Sequence, residues 1–394
     1  MTEIDAPPTF RRILGRVSGE QAGPSLIVMA GVHGNEKAGI KASQRVLHRL
    51  EHSAVSAVGD ATFLAGNLPA LRQNARYIDL DLNRQWTPEK LAVLKANGDE
   101  AEGPVEHAEQ RELLRTLRGI IDTARGPLVM VDLHTSSAQG PPLLTVGDTL
   151  RNRRFAQTFP LPLILGLEEQ VEGALLELLN NRGVVTLGVE GGSHESPASI
   201  DHHEAALWQA LVSSGILQAR DVPELERHQE LLRAATRGVP PVIEVRYRHP
   251  IRAADQFRMK PGFVNLARVQ KGQVLAQDTR GPVRAPETGL ILLPLYQGQG
   301  ADGFFVSRPV RPIWLAVSFL LRQLRLNAAM RWLPGVRLDP VRPEVLIVDT
   351  RVARLYPLEI FHLFGFRKVR QVGTDLQVSR RRYDLAPPRK MVFP

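Results

Sequence analysis

Hydrophobic and polar residues follow two patterns that take turns along the chain, one typical of buried strands and one typical of amphipathic helices. Short apolar runs that end in polar or glycine-containing turns are typical of buried strands, and the clearest lie at 25–30, 61–65, 128–134 and 184–189. Between them, apolar residues at helical spacing predict amphipathic helices at 37–50, 106–124 and 199–219. Strands that alternate with helices over about 220 residues predict an α/β fold with a mixed, largely parallel sheet and flanking helices.

Weaker patterns complete this part of the prediction. They place additional strands at 12–17, 143–146 and 161–165, and an additional helix at 169–179. After residue 238 the sequence pattern changes, because glycine and proline interrupt short runs of alternating apolar and polar residues. This pattern predicts a smaller β-rich domain. We expect three parts, an α/β domain at 1–238, the β-rich domain at 239–310 and an arginine-rich α+β extension at 311–394.

Composition narrows the class of protein. Hydrophobic residues make up 43% and charged residues 23% of the chain, as in globular proteins. Apolar runs fall short of the ~18 residues of a membrane span, and the N-terminal residues lack the apolar stretch of a signal peptide. With no cysteine, a metal site must use histidine and carboxylate ligands. We expect a cytoplasmic protein that does not engage a membrane.

The formal net charge of +9 suits either a nucleic acid or a small anionic substrate. Its excess lies in arginine-rich later segments such as 380–382. The interleaved aromatic residues of a single-strand binding groove are missing there. We therefore predict no nucleic-acid partner and a small anionic substrate, while homo-oligomer formation is left open.

Groups that bind metals follow three of the predicted strands. His33 and Glu36 come just after the first of them, and His134 and Glu190 end two others. Because the carboxyl ends of strands in an open α/β sheet gather where ligands bind, we expect convergence. Two histidines and a glutamate compose a catalytic zinc site. We assign His33, Glu36 and His134 as ligands of one Zn²⁺ per chain, which activates a water molecule, and Glu190 as the general base.

Neighbouring residues suit supporting roles. Asp132 lies two residues before His134, on the same face of the strand, where it would accept a hydrogen bond from a ligand imidazole such as that of His33. Arg76 is a candidate for stabilising the oxyanion. Asn83 and Arg84 offer an amide and a guanidinium to a substrate carboxylate.

These residues also have structural interpretations. Glu190 would be a buried carboxylate paired with an arginine, and Arg76 and Arg84 would pair with aspartates of their own segment. Three further histidines are predicted to decorate a helix rather than to hold a second metal: His194, His202 and His203.

Four motifs, in this order, resemble the succinylglutamate desuccinylase/aspartoacylase family, relatives of the zinc carboxypeptidases. They are His-Gly-Asn-Glu at 33–36, Arg-Tyr-Ile-Asp-Leu-Asp-Leu-Asn-Arg at 76–84, Asp-Leu-His-Thr at 132–135 and Val-Glu-Gly-Gly at 189–192. The resemblance implies the same zinc ligands, catalysis by Glu190, carbonyl polarisation by Arg76 and carboxylate binding by Asn83 and Arg84. It also places Asn67 on a pocket position.

The resemblance extends from about 25 to 310 and leaves the extension without an assigned role. Residues 293–305 resemble the family's β-rich domain, which helps to cover the pocket. The family's further substrate-side arginine and tyrosine have only loose counterparts in Arg182 and Tyr296.

We therefore predict a zinc-dependent amidohydrolase that cleaves an N-acyl amino acid or a related small acylated amine, at a carbon–nitrogen bond other than a peptide bond. Two alternatives share the metal site: a carboxypeptidase-type peptidase, and a zinc-binding module without turnover.

Overall fold

The computed structural model describes residues 10–53, 55–98, 103–222, 224–349, 351, 358–373, 375–389, 391 and 393. The strands, in chain order, are β1 (Ile13–Ser18), β2 (Ser25–Ala30), β3 (Asp60–Ala65), β4 (Leu128–Ser136), β5 (Leu143–Thr145), β6 (Leu163–Leu165), β7 (Val185–Ser193), β8 (Val242–Pro250), β9 (Arg258–Met259), β10 (Arg268–Val269), β11 (Val274–Asp278), β12 (Gly281–Arg284), β13 (Gly289–Leu292), β14 (Asp302–Pro309), β15 (Val336–Leu338), β16 (Val345–Asp349), β17 (Phe366–Val372) and β18 (Asp375–Arg380).

The α-helices are α1 (Ala38–Glu51), α2 (Leu68–Gln73), α3 (Pro88–Ala96), α4 (Val105–Thr123), α5 (Leu150–Ala156), α6 (Leu167–Gln170), α7 (Leu175–Asn180), α8 (Ala198–Ser213), α9 (Leu225–Ala235), α10 (Pro312–Gln323) and α11 (Leu358–Leu363). Short 3₁₀ helices lie at Leu82–Arg84, Ala219–Asp221, Ala253–Asp255 and Leu326–Trp332. None of the helices in the described part of the chain is long and apolar enough to cross a membrane.

One eleven-stranded mixed sheet organises the molecule, in the order β1-β3-β2-β4-β7-β5-β6-β8-β14-β13-β10. Its central strands β3, β2, β4 and β7 are parallel, and β2 is buried along its whole length, as expected of a strand covered on both faces. Ala30 pairs with Leu133, and His134 pairs with Glu190. The carboxyl ends of β2, β4 and β7 therefore lie side by side.

The predicted α/β fold with a mixed sheet and a β-rich C-terminal part is confirmed. The sheet is less parallel than predicted, since β1 joins β3 and β5 joins β7 in antiparallel orientation. The sheet also continues into the β-rich part, because β8 pairs with both β6 and β14. Strands β9, β11 and β12 form a separate three-stranded sheet.

The single helix predicted at 169–179 is wrong. Two short helices, α6 and α7, flank an irregular turn around Gly173, which has a φ of +79°. A Cβ at this position would lie 2.5 Å from the carbonyl oxygen of Arg84. Glycine therefore lets the turn pack directly against the 3₁₀ helix that ends at Arg84.

The C-terminal extension packs on the α/β domain through buried charges. Asp148, next to α5, forms ion pairs with Arg153 and with Arg322 and Arg367 of the extension. Burial alone would raise the pKa of Asp148, but the three guanidinium groups hold it well below its usual value. The arginine-rich composition of this segment therefore includes side chains that are buried against the rest of the molecule.

Candidate active site

The sheet edge brings three of the predicted ligands together. His33 and Glu36 lie in the turn between β2 and α1, and His134 lies near the end of β4. One ligand atom from each falls within 4.8 Å of the others. Nδ1 of His33 is 2.8 Å from Oε1 of Glu36, and Nδ1 of His134 is 3.0 Å from Oε2. Their side chains thus converge on one point.

Aspartates hold the outer nitrogen of each imidazole. Asp132 Oδ2 lies 2.9 Å from Nε2 of His134, and Asp81 Oδ1 lies 3.2 Å from Nε2 of His33. The expected hydrogen bond of Asp132 to His33 is therefore corrected. Asp132 contacts His134 instead, because the two side chains lie two residues apart on the same face of β4. A carboxylate behind each imidazole fixes its orientation and tautomer, as around metal-ligating histidines.

The electrostatics of this cluster favour a bound cation. Burial alone would raise the pKa of Glu36, but His33 and His134 hold it well below its usual value. Burial alone would lower the pKa of His134, but Asp132 and Glu36 hold it well above its usual value. Burial alone would also raise the pKa of Asp81, but His33 and Arg76 lower it. Two imidazoles and a carboxylate among further buried carboxylates form a donor set that fits a divalent metal ion.

Glu190 lies on β7 beside His134. It lines a pocket at this edge of the sheet together with His33, Glu36 and His134. Its Oε2 is buried and has no hydrogen-bond partner among the described residues. Burial raises the pKa of Glu190 to about 7, with His134 lowering it and Glu36 raising it. The arginine that a structural interpretation of Glu190 requires is not within ion-pair distance in the described structure. A carboxyl group with such a pKa can both take up and release a proton near neutral pH.

Arg76 reaches the cluster from the loop between α2 and α3. Its NH1 lies 3.2 Å from Glu36 Oε1, and its NH2 lies 3.6 Å from Asp81 Oδ2. The predicted pairing with an aspartate of its own segment is thus present together with a contact to the cluster. Because Arg76 also lines the pocket, its guanidinium lies close to both the candidate ligands and the space open to a substrate.

A single carboxylate organises this loop. Glu106, in the first turn of α4, is fully buried. It accepts hydrogen bonds from the backbone N–H groups of three successive residues, 78, 79 and 80, at 2.7, 3.0 and 3.0 Å. Sequence reasoning assigned Glu106 only to a helix, since no local pattern shows which distant backbone groups a carboxylate binds.

Asn83 and Arg84 both line the pocket. The side-chain oxygen of Asn83 accepts a hydrogen bond from the Leu175 N–H at 3.1 Å. Arg84 NH2 lies 3.4 Å from Asp302 Oδ2, and its buried Nε has no hydrogen-bond partner among the described residues. Arg84 therefore retains a donor for a ligand, while its charge is partly balanced by Asp302 of β14.

Asn67 does not line the described pocket. Its side-chain oxygen caps α2 by accepting a hydrogen bond from Ala70 N–H at 3.2 Å, and its Nδ2 donates to Glu106 at 3.0 Å. Both ends of the amide are thus used inside the fold. Asn67 thus caps a helix, for which Asn67 before Leu68-Pro69 is a sequence signal, and the substrate contact that the resemblance implies stays a prediction.

Residues of the β-rich part complete the pocket, which has a volume of about 160 Å³. Gln297 lines it and accepts a hydrogen bond on Oε1 from Asn35 at 2.8 Å, and the same oxygen lies 3.1 Å from Nε2 of His194. Sequence reasoning missed Gln297 as an individual residue, although the motif that contains it was expected to cover the pocket.

The remaining candidates lie outside the pocket wall. Arg182 lines a different cavity, with Glu177. The Tyr296 hydroxyl accepts from Phe263 N–H and donates to the Lys260 carbonyl. Buried His203 has a pKa lowered by burial to about 3 and no hydrogen-bond partner among described residues. Among the described residues, His33, Glu36 and His134 are the one group of three side chains placed to hold a metal ion.

The segment that carries these residues is similar in sequence to known proteins. A family model described as the succinylglutamate desuccinylase/aspartoacylase catalytic domain matches residues 22–205. Succinylglutamate desuccinylase of Photorhabdus laumondii is 36% identical over 74 residues, which are 19% of this chain and 23% of that protein. The enzyme of the same name from Pseudomonas fluorescens is 32% identical over 114 residues, 29% of this chain and 31% of that protein. The chain thus aligns with less than a third of these two relatives.

The similarity of fold is broader. The crystal structure of a succinylglutamate desuccinylase/aspartoacylase from Rhodobacter sphaeroides matches with a TM-score of 0.54 at 18% identity, covering 76% of this chain and 88% of that one. At this identity the match describes the fold, and it extends well beyond the segment that the family model matches.

Proposed function

We propose that this chain, whose residues 22–205 match the succinylglutamate desuccinylase/aspartoacylase catalytic domain, is a zinc-dependent amidohydrolase of that family that cleaves the amide of a small N-acyl amino acid. The observation that carries the proposal is the convergence of His33, Glu36 and His134 next to Glu190. Two imidazoles and one carboxylate would hold zinc with the protein ligand set of catalytic sites. Asp132 and Asp81 support this donor set from behind.

The three ligand side chains would hold the ion. When bound, zinc supplies Lewis-acid activation of water and of the substrate carbonyl. Glu190 accepts the proton of the attacking water on its carboxylate and then gives it to the amine as the carbon–nitrogen bond breaks. Its pKa of about 7 suits both transfers.

Arginines of the loop 76–84 position the substrate. The Arg76 guanidinium donates to the carbonyl oxygen as negative charge develops there. Arg84, with its unpartnered Nε, binds the carboxylate of the amino acid, and the Asn83 amide lies beside it in the wall. The substrate is therefore an acylated amine that carries a carboxylate.

The test is a hydrolysis assay of the zinc-loaded protein on N-acetyl and N-succinyl amino acids, with short peptides for comparison. We expect release of the free amino acid from the small amides and a loss of about 10²–10⁴-fold in kcat for Glu190→Gln. Glu195→Gln, at an exposed position five residues along, serves as the matched control. Protein without bound zinc, or Glu190→Gln with full activity, would contradict the proposal; zinc without hydrolysis of any amide would favour a binding module.

A further inference from the structure

One wall of the pocket lies directly against the residues proposed to bind the substrate carboxylate. This wall is the segment 167–176, which contains α6, the glycine turn and the start of α7. Leu175 N–H donates to Asn83 at 3.1 Å, and Trp86 N–H donates to the Gly173 carbonyl at 3.1 Å. If Arg84 binds the carboxylate of the substrate, as the proposed function states, then the side chain of the substrate's amino-acid part, attached to the neighbouring carbon atom, contacts this wall.

The wall combines apolar side chains with one acid. The apolar members that line the pocket are Leu167, Val171, Ala174 and Leu176. Glu168 lies among them with 7% of its side chain exposed. Its Oε1 is 3.5 Å from the Thr145 hydroxyl, and its Oε2 has no hydrogen-bond partner among the described residues.

Glu168 is poorly satisfied by its protein neighbours. The closest contact of its Oε2 with Arg381 is 4.0 Å, beyond hydrogen-bond distance. Arg381 instead donates from Nε to Glu169 at 3.0 Å. Burial raises the pKa of Glu168 to about 8, only partly opposed by Arg381. A buried carboxyl group with unused acceptor capacity is costly, and a ligand that donates to it recovers this free energy.

An acidic side chain on the substrate does not suit this wall. The arginine and lysine side chains that line the described pocket are Arg76 and Arg84, and they already contact Glu36 and Asp302. Arg182, the nearest counterpart of the expected additional arginine, lines another cavity. A second substrate carboxylate would therefore meet Glu168 at this wall instead of a cation, and Glu168 is neutral at best.

We propose that Glu168 is a specificity-determining residue that selects N-acyl amino acids with a basic, N–H-donating side chain over those of glutamate or aspartate. The aliphatic part of such a side chain packs on the apolar members of the wall, and its terminal ammonium donates to the Glu168 carboxylate. This inference rests on the proposed function for the position of the substrate carboxylate.

The first test uses binding of free amino acids, the amine products, to the zinc-loaded protein by titration calorimetry. We expect L-lysine or L-ornithine to bind at least roughly tenfold more tightly than L-norleucine, because a hydrogen bond to a charged group is worth about that factor or more. L-Glutamate should bind more weakly than either basic amino acid. Glu168→Gln should remove most of the advantage of lysine, measured as the ratio of the dissociation constants of norleucine and lysine.

Glu169→Gln is the matched control, since it changes the neighbouring buried carboxyl group of α6, which contacts Arg381 and does not line the described pocket. It should keep the preference for lysine. Glu168→Leu, which suits the apolar wall, provides a second variant whose thermal unfolding and norleucine binding show that it is folded.

Lysine binding no tighter than that of norleucine, including undetectable binding of both, would overturn the inference, as would an unchanged preference in folded Glu168→Gln and Glu168→Leu. The two proposals are separated by hydrolysis assays on three substrates: Nα-acetyl-lysine, N-acetylnorleucine and N-acetylglutamate. Preference for the glutamate derivative would contradict the inference alone. A Glu168-dependent preference for lysine in a protein that hydrolyses no amide would contradict the proposed function alone.

Discussion

Asp148→Asn tests how the C-terminal extension is held on the α/β domain. The Asp148 side chain is 1% exposed, and its carboxylate meets Arg153, Arg322 and Arg367. Asparagine has nearly the same shape without the charge. The substitution therefore leaves three buried guanidinium groups with one counter-charge fewer.

The expected magnitude follows from these contacts. Removing one partner of a buried ion pair costs about 3–5 kcal/mol. The side-chain oxygen of the introduced asparagine would still accept one of the hydrogen bonds, such as that from Arg153 at 2.6 Å in the wild type, so we expect about 3 kcal/mol. Since two of the three arginines belong to the extension, this region should open before the sheet unfolds.

The effect should depend on pH in a defined direction. The pKa of Asp148 in the folded protein lies well below its usual value, so the unfolded chain takes up the proton first as the pH falls. The stabilisation by the carboxylate is thus complete above about pH 4, the ordinary value of an aspartate, and is lost as the pH falls toward the folded pKa. The difference between wild type and Asp148→Asn should shrink accordingly.

Urea denaturation at neutral and acidic pH, together with limited trypsin digestion followed by mass spectrometry, measures both effects. Asp201→Asn is the control, because Asp201 pairs with Arg45 at the surface with side chains 52% and 49% exposed; it should change stability by less than about 0.5 kcal/mol. If Asp148→Asn matched this control in unfolding free energy and its extension resisted trypsin as in the wild type, the proposed role of the buried network would be refuted.

Three further predictions concern the site. His134→Ala should abolish stoichiometric zinc binding, measured by mass spectrometry of the metal, whereas Asp132→Asn should weaken it by about 10–100-fold; unchanged zinc content in His134→Ala would contradict the ligand assignment. Arg76→Ala should lower kcat by about 10²–10³-fold, as for loss of an oxyanion donor, and an effect confined to KM would argue for substrate binding instead. Asn67→Ala should destabilise the protein by about 1 kcal/mol through loss of the cap of α2 with KM unchanged, and a raised KM without destabilisation would favour a substrate contact.

The sheet edge could be predicted from the sequence because its signals are local. Each apolar run that becomes β2, β4 or β7 ends next to a polar group, and parallel strands bring such ends to one edge. His33, Glu36, His134 and Glu190 therefore meet as predicted, although they span most of the α/β domain.

The rest of the site depends on contacts between distant segments, which periodicity does not encode. Asp302 pairs with Arg84, which lies 218 residues away along the chain, and no local pattern shows that Glu168 lines the pocket. The helix predicted through Gly173 failed for a similar reason, because its apolar spacing is helical while a tertiary contact with Arg84 requires a turn. No local pattern of the extension shows that Arg322 and Arg367 pair with Asp148.

The way Glu106 holds the loop has a consequence for engineering and for the interpretation of natural variants. One carboxylate aligns three successive backbone groups of the segment that carries Arg76, Asn83 and Arg84. A substitution there would misplace all three side chains at once, so a mutational scan scored by turnover would rank Glu106 with the ligands although it touches no substrate. Attempts to retarget the pocket should keep Glu106 fixed and vary the pocket-lining side chains of the segment 167–176, because this segment contacts Asn83 and Trp86 through its backbone.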